Sequence, residues 1–266
     1  MSTNAGVEVR TERLQVGAGE VRLLRAGSGP PLLFLHAAGG GGWTPFHDGL
    51  GASFDVLAPD HPGFDESDTT DEVEGVDDLV YHYLRLLDIL EIEKATVVGV
   101  SFGGWVAAEL AVHSPERVER LVLTNTSSYF ADKSAWNDRL KLVREKGIPA
   151  FAPANMERWF TKGFRERSPD AVAWLQQMFA ATPLEGYIAC GEAVRDMDHR
   201  ELLPKIKAPT LVIAGKHDPA TPPEANEYIK NHIPGARLAL LDAAHISNVE
   251  QAEAYTNAVL GFLRAT

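Results

Sequence analysis

The sequence predicts an α/β protein with a doubly wound, mostly parallel sheet and an inserted block of helices. Strand-like and helix-like segments alternate through residues 1–126, and the alternation resumes in residues 206–266. Such alternation builds βαβ units, which form parallel sheets with helices on both faces. Residues 127–205 interrupt it, because they are helix-like throughout. We therefore predict a core from the two outer segments and a helical cap over the carboxyl ends of the strands, where such sheets bind ligands.

Local patterns predict each element in order. Short apolar runs rich in β-branched residues are typical of buried strands. They predict strands within 7–26 and over 31–36, 54–59, 95–100, 120–125, 210–215 and 236–241. Apolar residues at helical spacing predict amphipathic helices, as in 76–91, where Leu79 and Tyr83 share a face. The other predicted helices cover 103–113, 133–145, 149–162, 169–181, 184–195, about 222–232 and the residues after Ser247.

Net charge and histidine spacing limit the classes of binding partner and cofactor that we expect. The formal net charge of the 266 residues is −12, so the surface repels nucleic-acid phosphates and anionic lipid headgroups. We expect neither nucleic acid nor a membrane as a partner, and an anionic small molecule would need local cationic groups. The nine histidines show no metal-ligand spacing, so we expect no metal and no other cofactor.

Cysteine usage and hydropathy predict the compartment. The single cysteine, Cys190, excludes an internal disulfide and is typical of a reducing environment. No apolar run approaches the ~20 residues that span a bilayer. The first residues, MSTNAGVEVRTER, lack the apolar core of a signal peptide. We expect a cytoplasmic protein, and the sequence leaves its oligomeric state open.

The segment GVSFGG places Ser101 where a predicted strand turns into a helix. A serine on such a tight turn can project its hydroxyl into a cleft, and Gly99 and Gly103 relieve the crowding around it. A helix N-cap is the alternative role for this serine. Because the strand–turn–helix context is present, we predict that Ser101 is a catalytic nucleophile.

A serine nucleophile needs an adjacent base, which a carboxylate orients. Asp218 follows the strand over 210–215 in KHDPATPP, and His245 follows the strand over 236–241 in DAAHISN. The carboxyl ends of parallel strands meet at one edge, so both loops converge on Ser101 in the chain order serine, acid, histidine. Alone, Asp218 would be a turn or cap residue and His245 a surface histidine. Together they predict a catalytic triad.

We expect the other polar residues near these loops to have structural and not catalytic roles. The strand over 120–125 ends in Asn125, so it supplies no alternative acid. His217 is expected to point away from the site, because neighbours in an extended loop face opposite ways. The remaining residues expected to be structural are His36, which would bond its own loop, His61 and Asp242.

The loop HAAGGGGW follows the strand over 31–36. A hydrolase needs two N–H donors aimed at the developing oxyanion. We predict that the backbone N–H groups of Phe102, which follows the nucleophile, and Ala38 form this oxyanion hole. Glycines at 39–42 would let the backbone approach a ligand, and simple flexibility is their alternative explanation.

Together the motifs HAAGG, GVSFGG, HDPATPP and AAHISNVEQ resemble the α/β-hydrolase superfamily over essentially the whole chain. The resemblance implies an eight-stranded sheet with a helical cap after the sixth strand. The second half, including RWFTKGFRER, ATPLEGYIACGEAVRDMDHRE and APTLVIAGKHDPATPPE, resembles 3-oxoadipate enol-lactonases. These enzymes hydrolyse the enol-lactone formed during aromatic breakdown. The resemblance therefore implies a small ester or lactone as the substrate.

The first half departs from the enol-lactonase pattern. HAAGGGGWTPF is similar to the glycine-rich loop of C–C bond hydrolases that act on meta-cleavage products, and to that of capped esterases. The turn HPGFDES replaces an Arg-Gly-His-Gly-type turn, and Asp65 stands where many members have glycine. Three function classes follow: a lactonase or carboxylesterase, a C–C hydrolase, and a non-catalytic binder of a small molecule.

An enol-lactone of this kind carries a carboxylate, which this acidic protein must attract locally. Predicted cap helices carry four cationic candidates for substrate contact, Arg139, Arg158, Lys162 and Arg195, and Trp159 is a candidate apolar wall. The alternatives are that the cations are solvated and that Trp159 packs in the cap core with Phe160 and Phe164.

Overall fold

A computed structural model describes residues 7–73 and 75–265. Within these ranges, eight strands form one sheet: β1 (Arg10–Val16), β2 (Gly19–Ala26), β3 (Pro31–Leu35), β4 (Asp55–Pro59), β5 (Ala95–Val100), β6 (Val118–Thr124), β7 (Thr210–Gly215) and β8 (Arg237–Leu241). Their spatial order is β1-β2-β4-β3-β5-β6-β7-β8. β2 runs antiparallel to both β1 and β4, and all other neighbours are parallel. The predicted eight-stranded, mostly parallel sheet is confirmed.

Eleven α-helices lie in the described part of the chain. They are α1 (Pro45–Gly51), α2 (Val76–Ile89), α3 (Phe102–His113), α4 (Ser134–Lys146), α5 (Ile148–Trp159), α6 (Lys162–Arg167), α7 (Pro169–Ala180), α8 (Leu184–Asp196), α9 (Pro223–His232), α10 (Ser247–Glu250) and α11 (Ala252–Arg264). α4 to α8 all fall between β6 and β7, as expected for an inserted helical block. No helix within the described ranges combines the length and apolar character that crossing a bilayer requires.

The strands separate two apolar clusters because successive side chains point to opposite faces of a sheet. In β3, Leu33 and Leu35 pack with α2, α3 and α9 on one face, whereas Leu32 and Phe34 pack with α1, α11 and cap helices on the other. All four side chains are buried. This two-sided burial holds the carboxyl ends of the central strands at one edge of the sheet, beneath the inserted helices.

Three elements differ from the sequence prediction, one of which is the closing helix after Ser247, since it is divided into α10 and α11. Helix α1 was not predicted, although Thr44 and Pro45 form a helix-start signal. The single helix predicted over 149–162 ends at Trp159, and Phe160 takes an extended conformation. Thr161 then starts α6, since its side chain accepts a hydrogen bond from the Phe164 N–H at 3.3 Å. Capping by Thr161 therefore prevailed over the continuous helical pattern.

We expect Gly103→Ala to destabilise the protein by about 1–3 kcal/mol, the usual range for overpacking. A β-carbon at Gly103 would lie 2.2 Å from the carbonyl oxygen of Leu35, which is backbone and cannot rotate away. Gly261→Ala in α11 is the matched control, because nothing lies within 4 Å of its added β-carbon. The control should gain up to about 1 kcal/mol from helix propensity. Urea unfolding measures the free energy of unfolding of both variants. Equal changes in the two variants would contradict the close packing of α3 on β3.

We expect His47→Phe to flatten the acid side of the stability–pH curve. Burial lowers the pKa of His47 from 6.5 to about 3, against a small opposing contribution from a backbone hydrogen bond at Thr44. Between these values the unfolded chain binds a proton that the folded chain does not, so this group makes stability fall as pH falls. His47 should therefore make the free energy of unfolding fall by about 1.4 kcal/mol for each pH unit in this range, a contribution that the variant lacks.

Phenylalanine keeps the ring packing against Phe34 and Phe46 but has no titrating nitrogen. Urea unfolding of both proteins between pH 6 and pH 5 gives the two slopes. Identical slopes would show that His47 does not make this contribution.

Candidate active site

Ser101 occupies a strained turn between β5 and α3. Its φ of 53° and ψ of −115° are a combination that non-glycine residues rarely adopt. Neighbouring backbone holds it there, since the Ser101 N–H donates to the Thr124 carbonyl at 2.9 Å. A β-carbon on Gly99 would lie 2.2 Å from the Gly103 carbonyl oxygen. The expectation that these two glycines relieve crowding around Ser101 is confirmed.

His245 joins the hydroxyl of Ser101 to the carboxylate of Asp218. Its Nε2 lies 3.1 Å from Ser101 Oγ, and its Nδ1 lies 2.8 Å from Asp218 Oδ2. His245 is 5% exposed and Asp218 3%. The structure therefore brings together the three side chains that the sequence analysis proposed as a triad, in a continuous chain of hydrogen bonds.

Asp218 accepts hydrogen bonds from several neighbours besides His245. The Thr221 hydroxyl donates to Oδ2 at 2.6 Å, and the Ala220 and Thr221 N–H groups donate to Oδ1 at 2.8 and 3.0 Å. Burial alone would raise the pKa of Asp218, but the His245 ring and these donors outweigh it and lower the pKa. Asp218 is thus an ionised, fully hydrogen-bonded carboxylate behind the imidazole.

Asn125 is a site residue that the sequence analysis missed. It follows β6 in the left-handed region, with a φ of 44°. Its side-chain amide donates to Asp218 Oδ2 at 3.0 Å and to the Ala244 carbonyl at 3.2 Å, and its oxygen accepts from the Ser247 hydroxyl. Asn125 therefore links the acid loop to the histidine loop. The signal that could have identified Asn125 is its position at the carboxyl end of β6, next to the strand that precedes Ser101.

The loop after β3 forms a turn at the mouth of the site. The Gly40 N–H donates to the Ala37 carbonyl at 3.2 Å, so Ala38 and Gly39 are the central residues of the turn. Gly39 packs closely against the cap, because an added β-carbon would lie 2.2 Å from the Trp159 ring. Phe102 is the first residue of α3, where the helix itself leaves the N–H groups without acceptors. The backbone positions predicted for the oxyanion hole thus flank Ser101 from two elements.

His36 and His61 support this loop from below. His36 Nδ1 donates to the Ala37 carbonyl at 2.7 Å, and its Nε2 accepts from the His61 N–H at 2.8 Å. Burial lowers the pKa of His36 to about 4. Both rings are neutral structural groups, as predicted. His217, in contrast, is exposed and pairs with Asp242 at 2.8 Å, which confirms that it points away from Ser101.

A cavity of about 290 Å³ opens at Ser101 between the strand ends and the inserted helices. Polar and apolar side chains from both regions line it. They include Ala38, Ser101, Thr126, Phe130, Trp136, Arg139, Asn155, Arg158, Trp159, Tyr187, Thr221 and His245. The volume suits a small molecule, and three of the five predicted cap residues, Arg139, Arg158 and Trp159, border it.

Lys162 and Arg195 do not border the cavity. The Lys162 side chain is 82% exposed and lies 3.7 Å from Glu166 on the surface of α6. Arg195 pairs with the adjacent Asp196 and bonds Asn137 at 3.5 Å. The structure therefore does not place these two predicted substrate contacts at the cavity, because helical spacing alone does not define which side of a cap helix faces it.

The two cavity arginines lack acidic partners among the described residues. The Arg139 guanidinium stacks over Trp136, 4.2 Å from the ring centre, and its buried Nε has no hydrogen-bond partner there. Burial and, to a smaller extent, the nearby Arg139 together lower the pKa of Arg158 to about 10. Arg158 remains cationic at neutral pH. The cavity lining therefore carries two arginines and one carboxylate, Asp132, and neither arginine forms an ion pair with a described residue.

The fold, the strained serine and its hydrogen-bonded histidine define a class of protein. A family model described as the alpha/beta hydrolase fold matches residues 30–252, and the chain belongs to this family. It is 40% identical to 3-oxoadipate enol-lactonase 2 of Acinetobacter baylyi over 204 residues, which are 77% of this chain and 76% of that protein.

Two further comparisons bear on the site. The chain is 28% identical to 2-hydroxymuconate semialdehyde hydrolase of a Pseudomonas species over 262 residues, covering 90% of this chain and 88% of that one. Among solved structures, the enol-lactonase from Burkholderia xenovorans LB400 matches with a TM-score of 0.90 and 34% identity, covering 95% of this chain and 99% of that one. The resemblance to enol-lactonases is confirmed by both sequence and fold.

Proposed function

We propose that the protein is a serine hydrolase that cleaves a small carboxylic ester or lactone, most specifically 3-oxoadipate enol-lactone, through an acyl-enzyme. The observation that carries the proposal is the chain of hydrogen bonds from Asp218 through His245 to Ser101 at the mouth of the cavity. The similarity to enol-lactonases supports the substrate class. Residues 127–205 would act as the cap that selects the substrate.

In the proposed mechanism, His245 Nε2 takes the Ser101 proton as Oγ attacks the carbonyl carbon. The tetrahedral intermediate collapses, the ring C–O bond breaks, and the leaving enolate oxygen takes the proton from His245. A water molecule then attacks the acyl-enzyme while His245 accepts its proton. When the ester bond to Oγ breaks, that proton returns to Ser101 and the open-chain acid is free.

The surrounding groups have distinct proposed roles. Asp218 holds the Nδ1–H of His245, fixes the tautomer and stabilises the imidazolium that forms in each step. The N–H groups of Ala38 and Phe102 stabilise the oxyanion, a contribution of several kcal/mol in serine hydrolases. Asn125 and Thr221 are positioning residues, since their bonds keep Asp218 ionised and oriented.

The substrate carboxylate is proposed to lie near Arg139 and Arg158. The formal net charge of −12 disfavours an anionic ligand elsewhere on the protein. Arg139 and Arg158, which border the cavity and form no ion pair with a described residue, favour an anionic ligand here. Trp159 supplies an apolar wall beside them, as its ring is 8% exposed and packs against Gly39 and Phe179.

A C–C bond hydrolase is the second candidate, which the similarity to 2-hydroxymuconate semialdehyde hydrolase supports. It would use the same serine and histidine. Parallel assays with an enol-lactone, an aryl ester and a vinylogous diketone acid separate the two. Turnover of the diketone acid alone would exclude the lactonase, and binding without turnover of any substrate would favour a non-catalytic binder.

We expect Ser101→Ala to lower kcat for the enol-lactone or an aryl ester by at least ~10⁴-fold, because no acyl-enzyme can form. Loss of enol-lactone absorbance measures it, and circular dichroism checks the fold. Ser53→Ala is the matched control, since Ser53 precedes β4 at the opposite edge of the sheet. Activity that survives in the Ser101 variant would refute the nucleophile.

We expect Arg158→Gln and Arg139→Gln each to raise KM for the anionic lactone by ~10-fold, as expected for loss of a charge-assisted hydrogen bond. KM for a neutral aryl ester should change less than ~2-fold, because that substrate has no carboxylate to lose. Lys162→Gln removes an exposed cation from the same block of helices and serves as the control. Equal increases in KM for the anionic lactone and the neutral ester would contradict a carboxylate-binding site at these arginines.

A further inference from the structure

Asp65 reaches the oxyanion loop from the turn after β4. Its carboxylate oxygen Oδ2 accepts a hydrogen bond from the Gly41 N–H at 2.8 Å. Gly41 directly follows the turn that presents the Ala38 N–H. We propose that Asp65 is a positioning residue that holds this loop in the geometry required for oxyanion stabilisation. The inference rests on the proposed hydrolase function.

The backbone at Asp65 is strained, and the strain places its carboxylate. Asp65 has a φ of 48°, in the left-handed region where non-glycine residues are uncommon. Glycine would relieve the strain, yet aspartate occupies the position, and its short side chain tolerates this conformation better than most. The carboxylate also lies against Gly40, where an added β-carbon would be 3.3 Å from Oδ2. The side chain thus contacts two successive loop residues.

The loop depends on hydrogen bonds because it has almost no side chains to pack. Residues 39–42 are all glycine, and Gly40 and Gly42 have φ values of 97° and 89°. A further cavity of about 40 Å³ borders the same glycines, so packing against their inner side is incomplete. His36 anchors the loop at Ala37, and Asp65 anchors it at Gly41. Loss of either bond should let the Ala38 N–H move.

A metal site is the competing explanation for Asp65. Ligand atoms of His36, Asp60 and Asp65 lie within 4.8 Å of one another. Both His36 nitrogens already have hydrogen-bond partners, however, and Arg22 binds Asp60 through two bonds of 2.6 and 3.0 Å. The Arg22 guanidinium therefore supplies the cation at this cluster, which leaves the Gly41 N–H as the partner of Asp65.

Three variants distinguish the effect of the Asp65 hydrogen bond on kcat from the effect of the backbone strain. Asp65→Gly keeps the left-handed backbone and removes the acceptor, so kcat should fall about tenfold with KM unchanged. Asp65→Asn keeps an acceptor oxygen and a residue that tolerates the conformation, so it should retain kcat within about twofold. Glu91→Gly is the matched control: Glu91 also has a positive φ, 55°, but follows α2 away from the site.

The decisive readout is the affinity of a trifluoromethyl ketone that forms a tetrahedral adduct with Ser101. In Asp65→Gly its Ki should rise in proportion to the loss of kcat, while the Kd of the product acid stays constant. Thermal unfolding of each variant checks that the effect is not a loss of folded protein.

Unchanged kcat and inhibitor affinity in Asp65→Gly, or equal losses in Asp65→Asn, would overturn the positioning role. Metal-dependent activity that chelation removes and that Asp65→Gly abolishes would also overturn it. A wild-type protein that hydrolyses no ester or lactone would refute the proposed function instead, because that result does not depend on Asp65.

Discussion

The strained backbone at Ser101 is the constraint on which the rest of the site depends. A positive φ at a non-glycine residue is unfavourable by itself, and it persists here because the sheet and α3 pack tightly on both sides. Gly99 and Gly103 are required for that packing. The same turn directs Oγ at His245 and places the Phe102 N–H at the start of α3. The strained backbone, the hydrogen bond to His245 and the start of α3 therefore together position the Ser101 hydroxyl.

The loops around Ser101 are fixed mainly by hydrogen bonds. Asn125 ties the acid loop to the histidine loop, and Thr221 bonds the acid itself. On the opposite side, His36 and Asp65 fix the two ends of a loop made largely of glycine. Such loops approach a ligand closely because they lack side chains, and for the same reason they need external anchors. Burial keeps His36 neutral, so this anchor is a hydrogen bond without a charge.

Electrostatics distinguish the cavity from the rest of the molecule. The chain is acidic overall, yet Arg139 and Arg158 face the cavity without carboxylate partners among the described residues. Partial burial weakens the solvation of both cations, which increases the gain from an anionic ligand. Surface cations in the same helical block, such as Lys162, pair with nearby acids instead. In the proposed function, the inserted helices would therefore select the substrate, whereas the strand ends would provide the reactive groups.

The sequence by itself determined the α/β class, the position of the inserted helices and the three residues that meet at the strand ends. Those features follow from periodicity and from the rule that parallel strands end at one edge, so local patterns were sufficient. Only the tertiary structure decided which cap cations reach the cavity, that Asn125 belongs to the site, and that Asp65 bonds the glycine loop. Each of these depends on side-chain direction between segments far apart in the chain, and no local pattern records that direction. The division into core and cap, and the cytoplasmic location, stay predictions.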